Sequence, residues 1–277
     1  MKRQKKIAVV NDFSGFGRCS LTVSIPIISA MKIQCCALPT AVLSNHTGYQ
    51  DFFFDDYTDK MKEYYMKWDK LGLSFDGIYT GFLGSVRQVE LIIDFIKRFA
   101  GKDTSIIVDP VMGDDGERYA TIDTELCLEL KKLIPLSTII TPNLTEACIL
   151  AGVPYSSRDF GLSELEYIAG RLRDDGAGNI VITGITHGDM ISDFISRKDG
   201  KSVMYSHKCS GTAHAGTGDV FASIIAANSV NGVELESSVK MAADFVSRAV
   251  ELSDSMDIPY QDGVCFEELL GELSNYS

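Results

Sequence analysis

Gly216-Thr-Gly-Asp219 closes the run Gly211-Thr-Ala-His-Ala-Gly-Thr-Gly-Asp219 and leads directly into the small, apolar segment Val220-Phe-Ala-Ser-Ile-Ile-Ala-Ala227. Two glycines around a threonine let the backbone bend sharply and approach a ligand closely, and the segment behind them starts a helix. The unpaired N–H groups of such a start make an anion site. An acid in that first turn either complements the helix dipole or, beside a bound phosphate, takes a proton from a hydroxyl. Taken alone, Gly-Thr-Gly-Asp leaves both readings open, and the rest of the chain decides between them.

Just upstream, Ile191 to Ser196 and Ser202 to His207 flank Arg197-Lys-Asp-Gly200, where Asp-Gly fits a tight turn between extended runs. The pair reads as an antiparallel hairpin at a sheet edge that delivers Lys208 to Ala215 into the glycine turn. Before it, Asn179-Ile-Val-Ile-Thr183 is a buried strand ending in Gly184, and Leu162 to Arg173 has apolar residues at helical spacing.

The first half of the chain alternates in the same way. Lys6 to Asp12 is a continuous apolar run ending in polar residues, as in a buried parallel strand, and Phe13-Ser-Gly-Phe-Gly-Arg18 turns it towards a helix. With only Gly15 and Gly17 there, the dinucleotide fingerprint GxGxxG is missing. A second strand, Gln34 to Val42, leads into Leu43-Ser-Asn-His-Thr-Gly-Tyr49, a loop rich in hydroxyls, an amide, an imidazole and a phenol. This loop suits a polar aromatic ligand or simply an ordinary turn. The amphipathic helix Asp56 to Lys70 carries Tyr57, Tyr64, Tyr65 and Trp68 at a spacing that fits either the core or a subunit contact.

Strands at Gly77 to Gly81, Ser105 to Asp109 and Thr138 to Thr141 follow, separated by helices at about Val86 to Phe99 and Asp123 to Leu133. Pro142-Asn-Leu-Thr-Glu146 opens another helix. Repeated strand–helix units imply right-handed crossovers and a parallel sheet, with ligands gathering at the carboxyl ends of its strands. Asp12, Ser44 to Tyr49, Thr80 to Phe82, Asp109 to Asp114, Asn143 and Glu146 all fall at such ends. The fold class expected is therefore α/β, a three-layer α/β/α sandwich with a mostly parallel central sheet and an antiparallel edge hairpin. Residues 1–277 are expected to form one domain, closed by a helix at Leu235 to Leu252 and a polar tail from Asp254.

Composition narrows the class further. Of 277 residues 45% are hydrophobic, enough for a large core, and a formal charge of −12 argues against a nucleic-acid or anionic-membrane partner. Seven cysteines without CxxC or zinc-ligand spacing read as reduced thiols, as in a cytoplasmic protein. The apolar run behind the basic first residues is too short for a signal segment or a membrane span.

Asp12, Ser44-Asn-His-Thr-Gly-Tyr49, Thr80-Gly81, Asp109-Pro-Val-Met-Gly-Asp114, Thr141-Pro-Asn-Leu-Thr-Glu146 and Gly216-Thr-Gly-Asp219 occur in the order found in ribokinase-like small-molecule kinases. Over about Lys6 to Leu252 the combination resembles their pyridoxal/pyridoxamine (vitamin B6) kinase family. The resemblance implies ATP-dependent phosphorylation of a hydroxymethyl group on a pyridine ring. It gives Asp219 the role of base, with the N–H groups of Gly216, Thr217 and Gly218 facing the phosphoryl group in flight. The vitamin is then expected at Asp12, Ser44, His46, Thr47, Tyr49, Phe82 and Asp219. ATP falls to Asp109, Asn143, Thr183, Ser210, Gly211, Ala215, Gly216 and Gly218. Mg2+ falls to Asp109, Asp114, Asn143 and Glu146, some through water. A monovalent cation (K+) near Asp109 and the loop before Gly216, and a homodimer, complete what the family implies, while the glycine-rich, charged makeup of Asp114 to Thr121 suits a closing flap. Two positions depart from its pattern: Asp12 stands where a serine is usual, and Phe82 where a tyrosine is often found. Hydroxymethylpyrimidine kinases use the same phosphate machinery on a similar ring and are the alternative among enzymes. A catalytically silent ligand-binding protein is the alternative outside them.

Overall fold

The structure, a computed structural model, describes residues 3–155, 160–208, 211–212 and 214–274. In chain order the strands are β1 (Lys6–Phe16), β2 (Gln34–Asn45), β3 (Phe54–Asp56), β4 (Gly77–Thr80), β5 (Ser105–Val108), β6 (Gly113–Asp114), β7 (Glu117–Arg118), β8 (Ile139–Ile140), β9 (Asn179–His187), β10 (Met190–Ser196) and β11 (Ser202–Lys208). The α-helices are α1 (Ser20–Ala30), α2 (Thr58–Lys70), α3 (Val86–Phe99), α4 (Thr124–Leu130), α5 (Leu144–Ala151), α6 (Leu162–Asp174), α7 (Thr217–Asn231), α8 (Leu235–Ser255) and α9 (Leu270–Leu273).

One sheet of nine strands runs in the order β11-β10-β9-β8-β5-β4-β1-β2-β3, parallel from β9 through β2 and antiparallel at both edges. Both faces of its centre are covered, which is why the strands read as unbroken apolar runs rather than alternating ones. Along β1, Ile7 and Val9 pack into a core with α1, α7 and α8, while Ala8 and Val10 pack into a second core with α2 to α6. The sandwich thus has three layers, as expected.

The edges differ from the expectation. β1 does not stop at Asp12. Its partner β4 ends where Thr80 faces Val10, and from there β1 continues beside β2 alone to Phe16, its register slipping by one between Asn11 and Phe13. β2 likewise reaches Asn45 and is joined by a third, antiparallel strand, β3, that no local pattern announced. At the other edge β9 runs on past Thr183 to His187, so the hairpin is a three-stranded meander. The segment expected as a flap begins with the short hairpin β6–β7. The C-terminal segment is no mere polar tail, because Val264, Cys265, Phe266 and Leu273 are buried.

The aromatic helix α2 faces the core. Tyr65 is fully buried, and its ring lies 5.5 Å from that of Phe95, which also packs on Phe99 at 4.7 Å and Trp68 at 6.2 Å. Such tilted and edge-on pairs add to the burial of large rings. Phe95→Ala, which would empty the middle of this cluster, is expected to lower unfolding free energy by about 3–5 kcal/mol in chemical denaturation.

Candidate active site

Parallel strands that end beside helix starts bring polar side chains together without any help from the core, and here they converge on the head of α7. Gly216 is its N-cap at φ +78°, a conformation that costs glycine little. A Cβ there would lie 1.9 Å from the Arg18 carbonyl oxygen, so the turn tolerates no side chain. The first backbone bond of the helix runs from Val220 N–H to the Gly216 carbonyl. That leaves the N–H groups of Thr217, Gly218 and Asp219 at a helix start without intrahelical partners, and Gly218 is exposed.

Asp219 is fixed from the first strand. Asn11, 1% exposed, donates from Nδ2 to Asp219 Oδ1 at 3.1 Å. Its Oδ1 accepts from the N–H groups of Asp12 (3.0 Å) and Phe82 (2.8 Å). A Cβ on Gly81 would come within 2.4 Å of the Asn11 amide, which explains the glycine before Phe82. Ser20 reaches from the other side. Held at φ +52°, unusual for a residue with a side chain, it donates its hydroxyl to Asp12 Oδ1 at 2.5 Å and its N–H to Asp219. Burial pushes the Asp219 carboxyl up to about 6; the Ser20 N–H opposes this, Asp12 adds to it, and Asn11 again opposes it. Burial likewise raises Asp12, which is 6% exposed and whose two oxygens already accept from Ser20 and Ser14.

The acids expected to hold a metal divide into two kinds. Asn143 and Glu146 form a capping box at the start of α5: Asn143 Oδ1 accepts from the Glu146 N–H, and Glu146 Oε2 accepts from the Asn143 N–H, each at 2.9 Å. Glu146 Oε1 takes the Met112 N–H at 2.9 Å, and Asn143 Nδ2 donates to the Gly113 carbonyl at 2.7 Å. Their atoms therefore brace β6 against α5. Burial, only partly offset by these bonds, lifts Glu146 to about 8. Asp109, by contrast, has burial and the neighbouring Glu146 and Asp219 charges raising it well above the ordinary range. Beside it lies Thr141, whose hydroxyl opposes that rise. Hard oxygens whose charges raise one another fit a hydrated Mg2+. Among the described residues no three acidic, histidine or cysteine side chains close into a cage. Asp114 is exposed on the β6–β7 hairpin, where its Oδ1 accepts from the Asp115 N–H.

The loop after β2 engages several of its own polar side chains. His46 Nδ1 accepts from the Gly48 N–H at 3.1 Å, so Nε2 carries the proton and donates to the Gln261 carbonyl at 2.7 Å. Both ring nitrogens are engaged, and His46 props the loop instead of offering a free nitrogen to a ligand. The Ser44 hydroxyl also stays within the loop, bonded to Asn45 and the Phe53 N–H. Thr47 is exposed, Tyr49 donates to Asp262, and Phe82 is half-buried with its ring free of hydrogen-bond demands. Thr183 bridges to Asn143 at the β8–β9 boundary, placing those two nucleotide candidates side by side. Gly211 and Ala215 lead into the turn, and Ser210 lies outside the described residues.

Four residues that the sequence reading passed over now matter. Asn11 ends the apolar run of β1, a local signal that the next residue, Asp12, overshadowed. Ser20 had no such signal, because its role comes from a backbone conformation. Tyr119 lies close enough to Glu146, Asp114 and Asp109 for their charges to raise its phenol, after burial, above its ordinary value. Asp262 joins the site from the far end of the chain.

A ribokinase-like small-molecule kinase is the class that this sheet and this helix head define. Residues 25–264 match the phosphomethylpyrimidine kinase family. The hydroxymethylpyrimidine/phosphomethylpyrimidine kinase of Haemophilus influenzae is 29% identical over 177 residues, 61% of this chain and 63% of that enzyme. A chloroplastic thiamine biosynthetic bifunctional enzyme of Arabidopsis thaliana is 26% identical over 258 residues, 91% of this chain and 47% of its own length. The chain thus spans less than two thirds of these relatives. Among solved structures, a candidate phosphomethylpyrimidine kinase from Bacteroides thetaiotaomicron, in a crystal form with pyridoxal, is 38% identical at TM-score 0.92, with 98% of this chain and 96% of that one covered. Pyridoxal kinase from Lactobacillus plantarum is 28% identical at TM-score 0.91, with 99% and 98% covered. The chain belongs to the phosphomethylpyrimidine kinase family. No helix among the described residues is long and apolar enough to cross a membrane.

The raised carboxyls carry a sign for stability. Asp219, Asp193 and Glu146 titrate near 6, 7 and 8 in the fold, against about 4 in an unfolded chain, so the folded state holds protons the unfolded state has released. Their contribution is fully present below pH 4 and is lost as pH rises through 6 to 8. Thermal midpoints of the ligand-free protein are expected to fall between pH 5 and pH 8.

Proposed function

We propose that the chain transfers the terminal phosphoryl group of ATP to the hydroxymethyl group of a pyridine-type vitamin, pyridoxal or its amine or alcohol counterpart. The observation that carries this is Asp219: an acid with a carboxyl near 6, oriented by Asn11 and set in the first turn of a helix whose leading N–H groups are unpaired. At neutral pH it is ionised and takes the proton of the acceptor hydroxyl as the oxygen bonds phosphorus and ADP leaves. The N–H groups of Thr217 and Gly218 face the charge on the transferring group, and removing one such donor typically costs on the order of 10²–10³ in rate. Bound Mg2+ would neutralise phosphate charge, with Asp109 its donor from the protein. Phe82 offers a face for stacking on the acceptor ring.

The vitamin B6 reading is supported by the Bacteroides thetaiotaomicron protein seen with pyridoxal at 38% identity. A second reading, phosphorylation of a hydroxymethylpyrimidine, is favoured by the family match.

A panel assay separates them. With Mg2+ and ATP, pyridoxal-dependent ADP release is expected, with an acid limb near pH 6 as Asp219 protonates. Release with hydroxymethylpyrimidine alone would establish the second reading, and release with neither acceptor would sink both. Asp219→Asn is expected to lower kcat by on the order of 10²–10⁴ while nucleotide binding persists. Undiminished turnover would remove Asp219 as the base.

A further inference from the structure

The segment after α8 makes contacts that its exposed position does not explain. Tyr260 is 57% exposed and Gln261 is exposed, so apolar burial anchors this stretch only at its far end, where Val264, Cys265 and Phe266 are buried. Hydrogen bonds hold it, and they reach three separate parts of the site. Towards the loop after β2, the Gln261 carbonyl accepts from His46 Nε2 at 2.7 Å and Gln261 Nε2 donates to the Gly48 carbonyl at 2.9 Å. Asp262 Oδ1 accepts from the Tyr49 hydroxyl at 2.8 Å. Towards the turn after β1, the Asp262 carbonyl accepts the Arg18 N–H at 3.0 Å, and the Arg18 carbonyl in turn packs under Gly216. Towards the anion turn, the Tyr260 carbonyl accepts from the Ala215 N–H at 3.1 Å and the Val264 N–H donates to the Ala215 carbonyl at 2.9 Å.

The loop at His46 to Tyr49 and the turn at Ala215 to Gly216 therefore do not set their separation through each other. Each is bonded to the same short strap. The loop itself has few other anchors: Tyr49 N–H bonds the His46 carbonyl within it, and the His46 and Phe16 rings lie 4.8 Å and 5.8 Å from Tyr49.

We infer that Gln261 and Asp262 are positioning residues that hold the loop His46 to Tyr49 at a fixed distance from the anion turn, so that the acceptor's ring and its hydroxymethyl group are presented together to Asp219. The assignment of that loop to the acceptor rests on the function proposed above and on the resemblance that places the vitamin at His46, Thr47 and Tyr49; the docking of the loop on the strap does not. The division of labour within the strap is chemical. Its contacts to Arg18 and Ala215 are made by backbone carbonyls and an N–H, which survive any side-chain change. The Asp262 carboxylate reaches only the acceptor side. Losing a hydrogen bond to a charged group at a partly exposed site loosens the loop, and a misplaced acceptor weakens binding more than it changes nucleotide affinity.

Asp262→Ala and Tyr49→Phe each remove the same bond from opposite ends. Each is expected to raise the acceptor KM about tenfold, to leave the ATP KM within about twofold, and to have no further effect when combined. Asp262→Asn keeps an acceptor oxygen and is expected to restore the KM. An unchanged acceptor KM in Asp262→Ala, or equal rises in both KM values with a lowered thermal midpoint, would overturn the inference. A second readout needs no substrate. Hydrogen exchange of the Gly48 and Tyr49 amides in the free protein is expected to quicken about tenfold in Asp262→Ala. Unchanged exchange overturns the strap's role whatever turnover shows. Quickened exchange in a protein that phosphorylates neither acceptor overturns the proposed function and leaves the strap standing.

Discussion

The hydrogen bond from Asn11 Nδ2 to Asp219 Oδ1 spans 208 positions in the chain and ties the first strand to the head of α7. Its geometry needs three things at once. β1 must lie beside β4 so that Gly81 leaves room for the amide, α7 must cover the face that carries Ile7 and Val9, and Gly216 must turn tightly over Arg18. Each is a packing requirement of the sandwich, so the site's base is oriented by the same contacts that close the core. Buried amides with every atom satisfied tolerate few alternatives, which makes such a bond a strong constraint on the arrangement around it.

Charge is the counterweight. Asp12, Asp109, Glu146 and Asp219 crowd the carboxyl ends of β1, β5 and α-helix starts, and burial raises every one of them. The fold answers this in two ways. Glu146 is bound by backbone N–H groups and Asp12 by two serine hydroxyls, which makes both of them structural. Asp219 is held by the Asn11 amide and the Ser20 N–H at the head of α7, and Asp109 has the Thr141 hydroxyl beside it. A set of acids at neighbouring strand ends looks uniform in sequence, and only the hydrogen bonds sort it into braces and reagents.

The polar loop Ser44 to Tyr49 shows the same sorting. Its side chains suit a ligand by type, but His46 and Ser44 use their polar atoms on the loop and on the C-terminal strap. Residue type announces capacity for hydrogen bonding without saying who receives it. The distant segment at Tyr260 to Asp262, read in sequence as a tail, takes part of that capacity.

Local pattern determined the alternation of strands and helices, the parallel sheet, the glycine turn at Gly216 with Asp219 in the helix behind it, and the placing of Asp109, Asn143 and Glu146 after strand ends. Apolar runs, helical spacing and glycine placement are short-range consequences of backbone geometry and burial, and they are legible wherever they occur. Tertiary structure alone decided that β1 runs on to Phe16, that β3 caps one edge, that Asn11 and Ser20 grip the Asp219 region, and that the strap joins two loops. These depend on which strands become neighbours and on a backbone angle at Ser20, and no stretch of chain carries that information until all of it has packed.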